Sequence, residues 1–249
     1  MKKINKVAYR RAVEFLNRKT SSMIFFYLFF LTSVPLVTYK PIQNFWYNLY
    51  YSFGVPLINT LFFLLVIISI IWFIRKRSIE KYIVHRIGAY KDMIICDLVS
   101  IVYITSILFA AFSIFNLSFS ILGAGTHYSL LRDAYEVILP VSICIEIVKY
   151  YAYVVGISFI TYFLSLLQNQ NIRFLFLGLL FMITILPPNQ FLSATNVFET
   201  SIQYTFFINH MEFSNFSVFL VCSVTNLFLY FIVTIMLYRI TLKKRGDLA

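Results

Sequence analysis

Six long stretches of this chain carry no charged residue, and that single feature decides what it can fold into. They run from Thr20 to Tyr39, Pro41 to Ile74, Leu98 to Leu131, Tyr150 to Ile172, Phe174 to Phe198 and Phe213 to Tyr238. A helix needs about 20 residues to cross about 30 Å of hydrocarbon, and an ionised side chain near its centre costs several kcal/mol. Composition agrees: 60% of the 249 residues are hydrophobic and 12% charged, against about 45–50% and about 25% in a soluble domain. Backbone polar groups in lipid are satisfied only in helices or closed barrels, and long non-alternating runs of Phe, Leu and Ile suit helices. The sequence therefore predicts an all-α integral membrane protein, one membrane domain over 1–249, with helices at 21–38, 55–74, 97–117, 148–167, 172–186 and 214–238.

Orientation follows from Lys and Arg, which stay on the cytoplasmic side. Placing both termini inside puts 18 of the 21 basic residues there and leaves Lys40, Arg132 and Lys149 outside. Acidic residues divide evenly, with Asp133, Glu136, Glu146, Glu199 and Glu212 outside. The net charge of +11 then reflects topology and anionic inner-leaflet lipid, and gives no reason to expect nucleic acid as a partner. The expected location is a plasma membrane crossed several times, and the heavy use of Phe, Tyr, Ile, Asn and Lys hints at an AT-rich bacterial genome.

The first twenty residues read as an amphipathic helix on the inner interface rather than a secretory signal, since no small-residue cleavage site follows Val37 and five further spans come after it. Ile4, Val7, Ala8, Ala12, Phe15 and Leu16 recur at helical spacing, while Arg10, Glu14 and Arg18 stand four apart on another face. This helix is expected to turn into the first span at Thr20 to Ser22. Cys96, Cys144 and Cys222 lack CxxC spacing, so neither a disulfide nor a metal site is expected. Phosphate-binding GxxxxGK[ST], GxSxG and HExxH motifs are absent, and His85, His127 and His210 are scattered. The expectation is a chain that is no enzyme and holds no cofactor.

The cytoplasmic loop at 75–96 has the most local design. Ser78 can cap a helix whose first turn holds Glu80. Ile79, Tyr82, Ile83, Ile87, Tyr90 and Ile94 form an apolar stripe with Lys81, His85, Arg86 and Lys91 off it. Gly88 favours two short helices over one rod. Such an element suits a groove on a partner protein, or else the lipid headgroups.

Taken with "HRIGAYKDMI" after the second span, "YFLSLLQNQN" ending the fourth and "LPP" closing the fifth, this layout resembles the membrane (permease) subunits of ABC-2-type exporters. Within them it looks closest to Gram-positive permeases that move lantibiotics, other bacteriocins or amphipathic peptides. The resemblance implies that 1–20 is a connecting helix and 78–92 a coupling helix. Ile79, Tyr82, Ile83, Arg86, Ile87 and Tyr90 would then meet a separate ATPase subunit, present in two copies and holding the ATP and Mg. It further implies a second permease chain, as homodimer or heterodimer, and alternating access.

Asn59, Thr60 and Asn226 are mid-span polar groups that could line a path or bond helix to helix. Glu146 and Lys149 share a helical face. They lie buried if the fourth helix begins near Val137, and at the outer headgroups if "DAYEVILPVSICIE" is an interfacial helix broken at Pro140, which is the favoured expectation. Aromatic-rich outer segments, among them the extracellular loop at 187–213, fit an amphipathic peptide leaving into the outer leaflet, or an ordinary aromatic belt. Rival classes are a lipid- or polysaccharide-exporting permease and a membrane immunity or binding protein without an ATPase.

Overall fold

The computed structural model describes residues 2–38, 62–78, 90–124, 138–167, 170–185 and 216–244. Every regular element among them is helical: α1 (Lys2–Leu16), α2 (Lys19–Thr38), a π-helical stretch (Phe62–Ile67) running into α3 (Ile68–Ser78), α4 (Tyr90–Ala124), α5 (Ile138–Ser165), α6 (Gln170–Ile185) and α7 (Phe216–Lys244). Among the described residues one helix, Tyr90–Leu122, is long and apolar enough to cross a membrane.

Ring contacts fix the relative directions of the helices. Phe15 of α1 meets Phe73 near the end of α3 at 5.2 Å, whereas Phe62, at the other end of the same rod, meets Phe112 of α4 at 5.4 Å and Tyr150 of α5 at 6.4 Å. Phe29 of α2 lies against Phe115 and Phe119 of α4. Helix α2 therefore leaves the end of the bundle where α1 sits, α3 returns to it, α4 leaves and α5 returns. The end of α3, the start of α4 and the end of α5 thus share one end with α1.

The core at the opposite end is aromatic. Phe112 and Tyr150, both fully buried, stack with centroids 5.9 Å apart, flanked by Phe62 and Phe109. Polarity is turned inside out relative to a water-soluble bundle. Thr32, Ser100, Thr105, Ser158 and Thr161 are buried, while Met23, Phe26, Leu122, Phe174, Phe228 and Phe231 are exposed. Three of these hydroxyls return their protons to the preceding turn, Thr32 to Leu28, Ser100 to Cys96 and Ser158 to Val154, so those three need no water.

Several boundaries differ from the sequence expectation. The turn out of α1 falls at Asn17 and Arg18, beginning three residues before the expected Thr20, and is closed by Ser21, whose hydroxyl stands between the carbonyls of Leu16 and Arg18. Helix α4 begins at Tyr90 rather than 97, so Tyr90 and Ile94 belong to the long helix and not to a separate loop helix. Charged residues at 91, 92 and 97 limit how far a span can enter lipid, but they do not end a helix. Helix α5 runs unbroken from Ile138 through Pro140, which corrects the expected break. Proline in the first turn forfeits an N–H that has no intrahelical acceptor. Helix α7 continues to Lys244, past the expected 238.

Truncating Phe112 to Ala should lower the unfolding free energy of the solubilised protein by about 3 kcal/mol, because a ring enclosed on all sides leaves a cavity. A shift in the thermal midpoint equivalent to less than about 1 kcal/mol would contradict the packing described.

Candidate functional site

Helix α1 carries its apolar residues on one stripe, and Ala8, Ala12 and Phe15 on it are buried against the bundle. Arg11 falls on the same stripe, four residues after Val7 and four before Phe15. A cation there must enter the protein with α1, and it does: Arg11 is 4% exposed and Asp97, on α4, is 0% exposed. Arg11 Nη1 donates to Asp97 Oδ1, and Tyr162 of α5 donates its hydroxyl proton to Asp97 Oδ2 at 2.7 Å. Three helices therefore meet on one buried carboxylate. Arg11 Nε and Nη2 have no hydrogen-bond partner among the described residues.

A second, more exposed set of contacts ties α1 to α3. Glu14 takes a hydrogen bond from Arg18 at 3.2 Å and also pairs with Arg77. The Arg18 guanidinium sits 4.6 Å from the Phe73 ring centroid, and that ring also packs on Phe15. Cys96 lies with its Sγ 3.9 Å from the Ile4 carbonyl. Exposed ion pairs contribute at most about 1 kcal/mol each, so the Phe15 and Phe73 packing and the buried Arg11 and Asp97 pair carry this junction. A buried pair is stable only as a pair: removing one partner costs about 3–5 kcal/mol, since the survivor is left charged away from water. Together these contacts lock α1 to the end of α3 and the start of α4, on either side of residues 79–89.

The residues expected to contact an ATPase lie mostly beyond the described residues: Ile79, Tyr82, Ile83, Arg86 and Ile87 all do, as do Asn59 and Thr60. Tyr90 is the first residue of α4, partly buried and packed against the core. Glu146 and Lys149 fall within the continuous helix α5 and Asn226 within α7, with side chains outside the described set. Sequence reasoning overlooked Arg11, Asp97 and Tyr162. The available signal was Arg11 itself, a cation centred on an otherwise apolar stripe. Among the described residues no group of three or more His, Cys, Asp or Glu side chains is placed to hold a metal. No family model, no curated protein and no solved structure matches this chain.

A double-mutant cycle tests the junction. Arg11→Met and Asp97→Leu should each lose about 3–5 kcal/mol of stability alone, whereas the two together should lose only about 1–3, the cost of the stranded Tyr162 hydroxyl. Strictly additive losses in thermal unfolding would show that the two groups do not interact.

Proposed function

We propose that this chain is the membrane (permease) subunit of an ABC-2-type exporter: six spans with both basic ends in the cytosol, and no nucleotide-binding site of its own. The observation that carries the reading is the locked junction. Segment 79–89 joins α3 to α4, and α1 is fastened to both of them by Phe15, Glu14 and Arg11. A force applied to that segment therefore moves α1, α3 and α4 as one body and, through Tyr162, pulls on α5. This is the mechanical requirement for a passive subunit driven by another protein. The apolar exterior and the length of α4 support placement in a bilayer.

In this reading a separate ATPase, present in two copies, closes on ATP and Mg and pushes on the apolar stripe of Ile79, Tyr82, Ile83, Ile87 and Tyr90, with Arg86 beside it. Two permease chains, identical or related, rock about a shared path by alternating access in a bacterial plasma membrane. The cargo class is an amphipathic peptide such as a bacteriocin, exported or expelled in self-protection. Asn59, Thr60, Asn226, Glu146 and Lys149 are the candidate path residues.

Affinity purification from native membranes should recover an ATP-hydrolysing subunit with the wild-type chain. Ile83→Asp, which puts a charge into the stripe, should abolish that recovery and the stimulation of ATP hydrolysis while leaving membrane insertion intact. Undiminished recovery would overturn the coupling assignment. A chain that comes down without any ATPase would favour an immunity protein acting alone.

A further inference from the structure

At the end of the bundle where α1 docks, an open cleft of about 510 Å³ separates α3, α5 and the start of α6. Its polar wall holds Arg75, Lys76 and Arg173, and among the described residues no carboxylate lines it. Arg173 is held in place by a hydrogen bond from Nη2 to the Leu167 carbonyl, and its Nε has no partner among the described residues. On the cleft wall Thr161 is 3% exposed, and its hydroxyl too has no hydrogen-bond partner. Three cations line this space beside an unmatched buried hydroxyl, and no described residue supplies it with an anion.

The rest of the wall is apolar and continuous with the outer surface of the bundle. Ile68 and Trp72 line the cleft and are also 42% and 63% exposed. The Lys76 ammonium stands 5.4 Å from the Trp72 ring centroid, so one side chain is apolar below and cationic above. A free inorganic anion would use the cations and leave the apolar wall empty. A molecule with an anionic head and a hydrocarbon tail uses both.

We propose that this cleft binds the phosphate headgroup of an anionic phospholipid from the leaflet on the basic side. Its acyl chains lie along Ile68 and Trp72. The assignment rests on the membrane reading above and adds to it a specific lipid site. Arg75 and Arg173 hold the phosphate from two different helices, and Thr161 donates its hydroxyl proton to a phosphate oxygen. Occupancy would join α3 to α6 at the end where α1 is already locked.

The test uses the full chain in nanodiscs of phosphatidylglycerol mixed with phosphatidylcholine, with bound lipid read by native mass spectrometry after transfer to detergent. Wild type should retain phosphatidylglycerol over phosphatidylcholine. Arg75→Gln with Lys76→Gln and Arg173→Gln should weaken that retention about tenfold or more, while Lys91→Gln with Arg239→Gln and Lys243→Gln, which removes as much charge elsewhere, should not. Thr161→Leu fills the cleft without altering charge and should also displace the lipid, which keeps the test independent of the stability of the triple variant. Equal retention by the two triple variants, or by Thr161→Leu and wild type, overturns the site. Displacement of the lipid by millimolar inorganic phosphate would identify a soluble-anion site and overturn the lipid assignment. Release of the wild-type chain from membranes by alkaline carbonate would instead overturn the membrane reading itself.

Discussion

A carboxylate withdrawn from water and held between two helices is the constraint on which the arrangement of this protein depends. Asp97 is fully buried, and Arg11 from α1 and Tyr162 from α5 both donate hydrogen bonds to it. Desolvating such a pair costs several kcal/mol per ion, and Coulombic attraction offsets that cost only in good geometry. The pair therefore works better as a specifier than as a source of stability. With α1 shifted by one turn, Asp97 would stay charged and lose its cation, so competing registers are penalised more strongly than apolar contacts of Ala8, Ala12 and Phe15 alone could achieve.

What this fixes is a working end of the bundle. The end of α3, the start of α4, the end of α5 and all of α1 are gathered there, with Arg75, Lys76, Arg77 and Arg173 among them. Helix α4 is 35 residues long, about 52 Å of helix, well beyond the about 30 Å of a hydrocarbon layer. A rod of that length can carry a displacement from the Asp97 junction to the Phe112 and Tyr150 stack without an intervening hinge. The opposite end is held by ring stacking, which tolerates sliding. The working end is held by charge, which does not. For a subunit moved by an external partner, as proposed here, that asymmetry would let force enter where the helices are clamped and be expressed where they can slip.

The helices were legible because hydrophobic runs uninterrupted by charge have few other physical outcomes: each of the six expected segments overlaps a described helix, and 21–38 and 172–186 agree with theirs to within two residues at both ends. Their ends were less legible. Charges at Lys91, Asp92 and Asp97 set where lipid can begin, and so shifted the expected start of α4 seven residues too late, although a helix continues freely into the interface. Pro140 suggested a break because proline usually ends helices, but within a first turn its cost vanishes. The junction was missed because Arg11 was counted among inside charges rather than by its position on the α1 stripe. Asp97 likewise stood at the boundary between the loop at 75–96 and the helix expected from 97. Pairing two residues 86 positions apart needs the relative placement of α1 and α4, which local periodicity does not encode.

Impermeant-maleimide labelling of single cysteines in whole cells, with Cys96, Cys144 and Cys222 replaced, tests the central claim most directly. Asn17 lies in the turn after α1, on the clamped basic end, and Leu122 lies about 38 Å further along α4 from Asp97, exposed at the far end. The account predicts that Leu122→Cys is labelled in intact cells and Asn17→Cys only after permeabilisation. Labelling of Asn17→Cys in intact cells, with Leu122→Cys protected, would place the clamped end outside and contradict a chain driven from the cytosol.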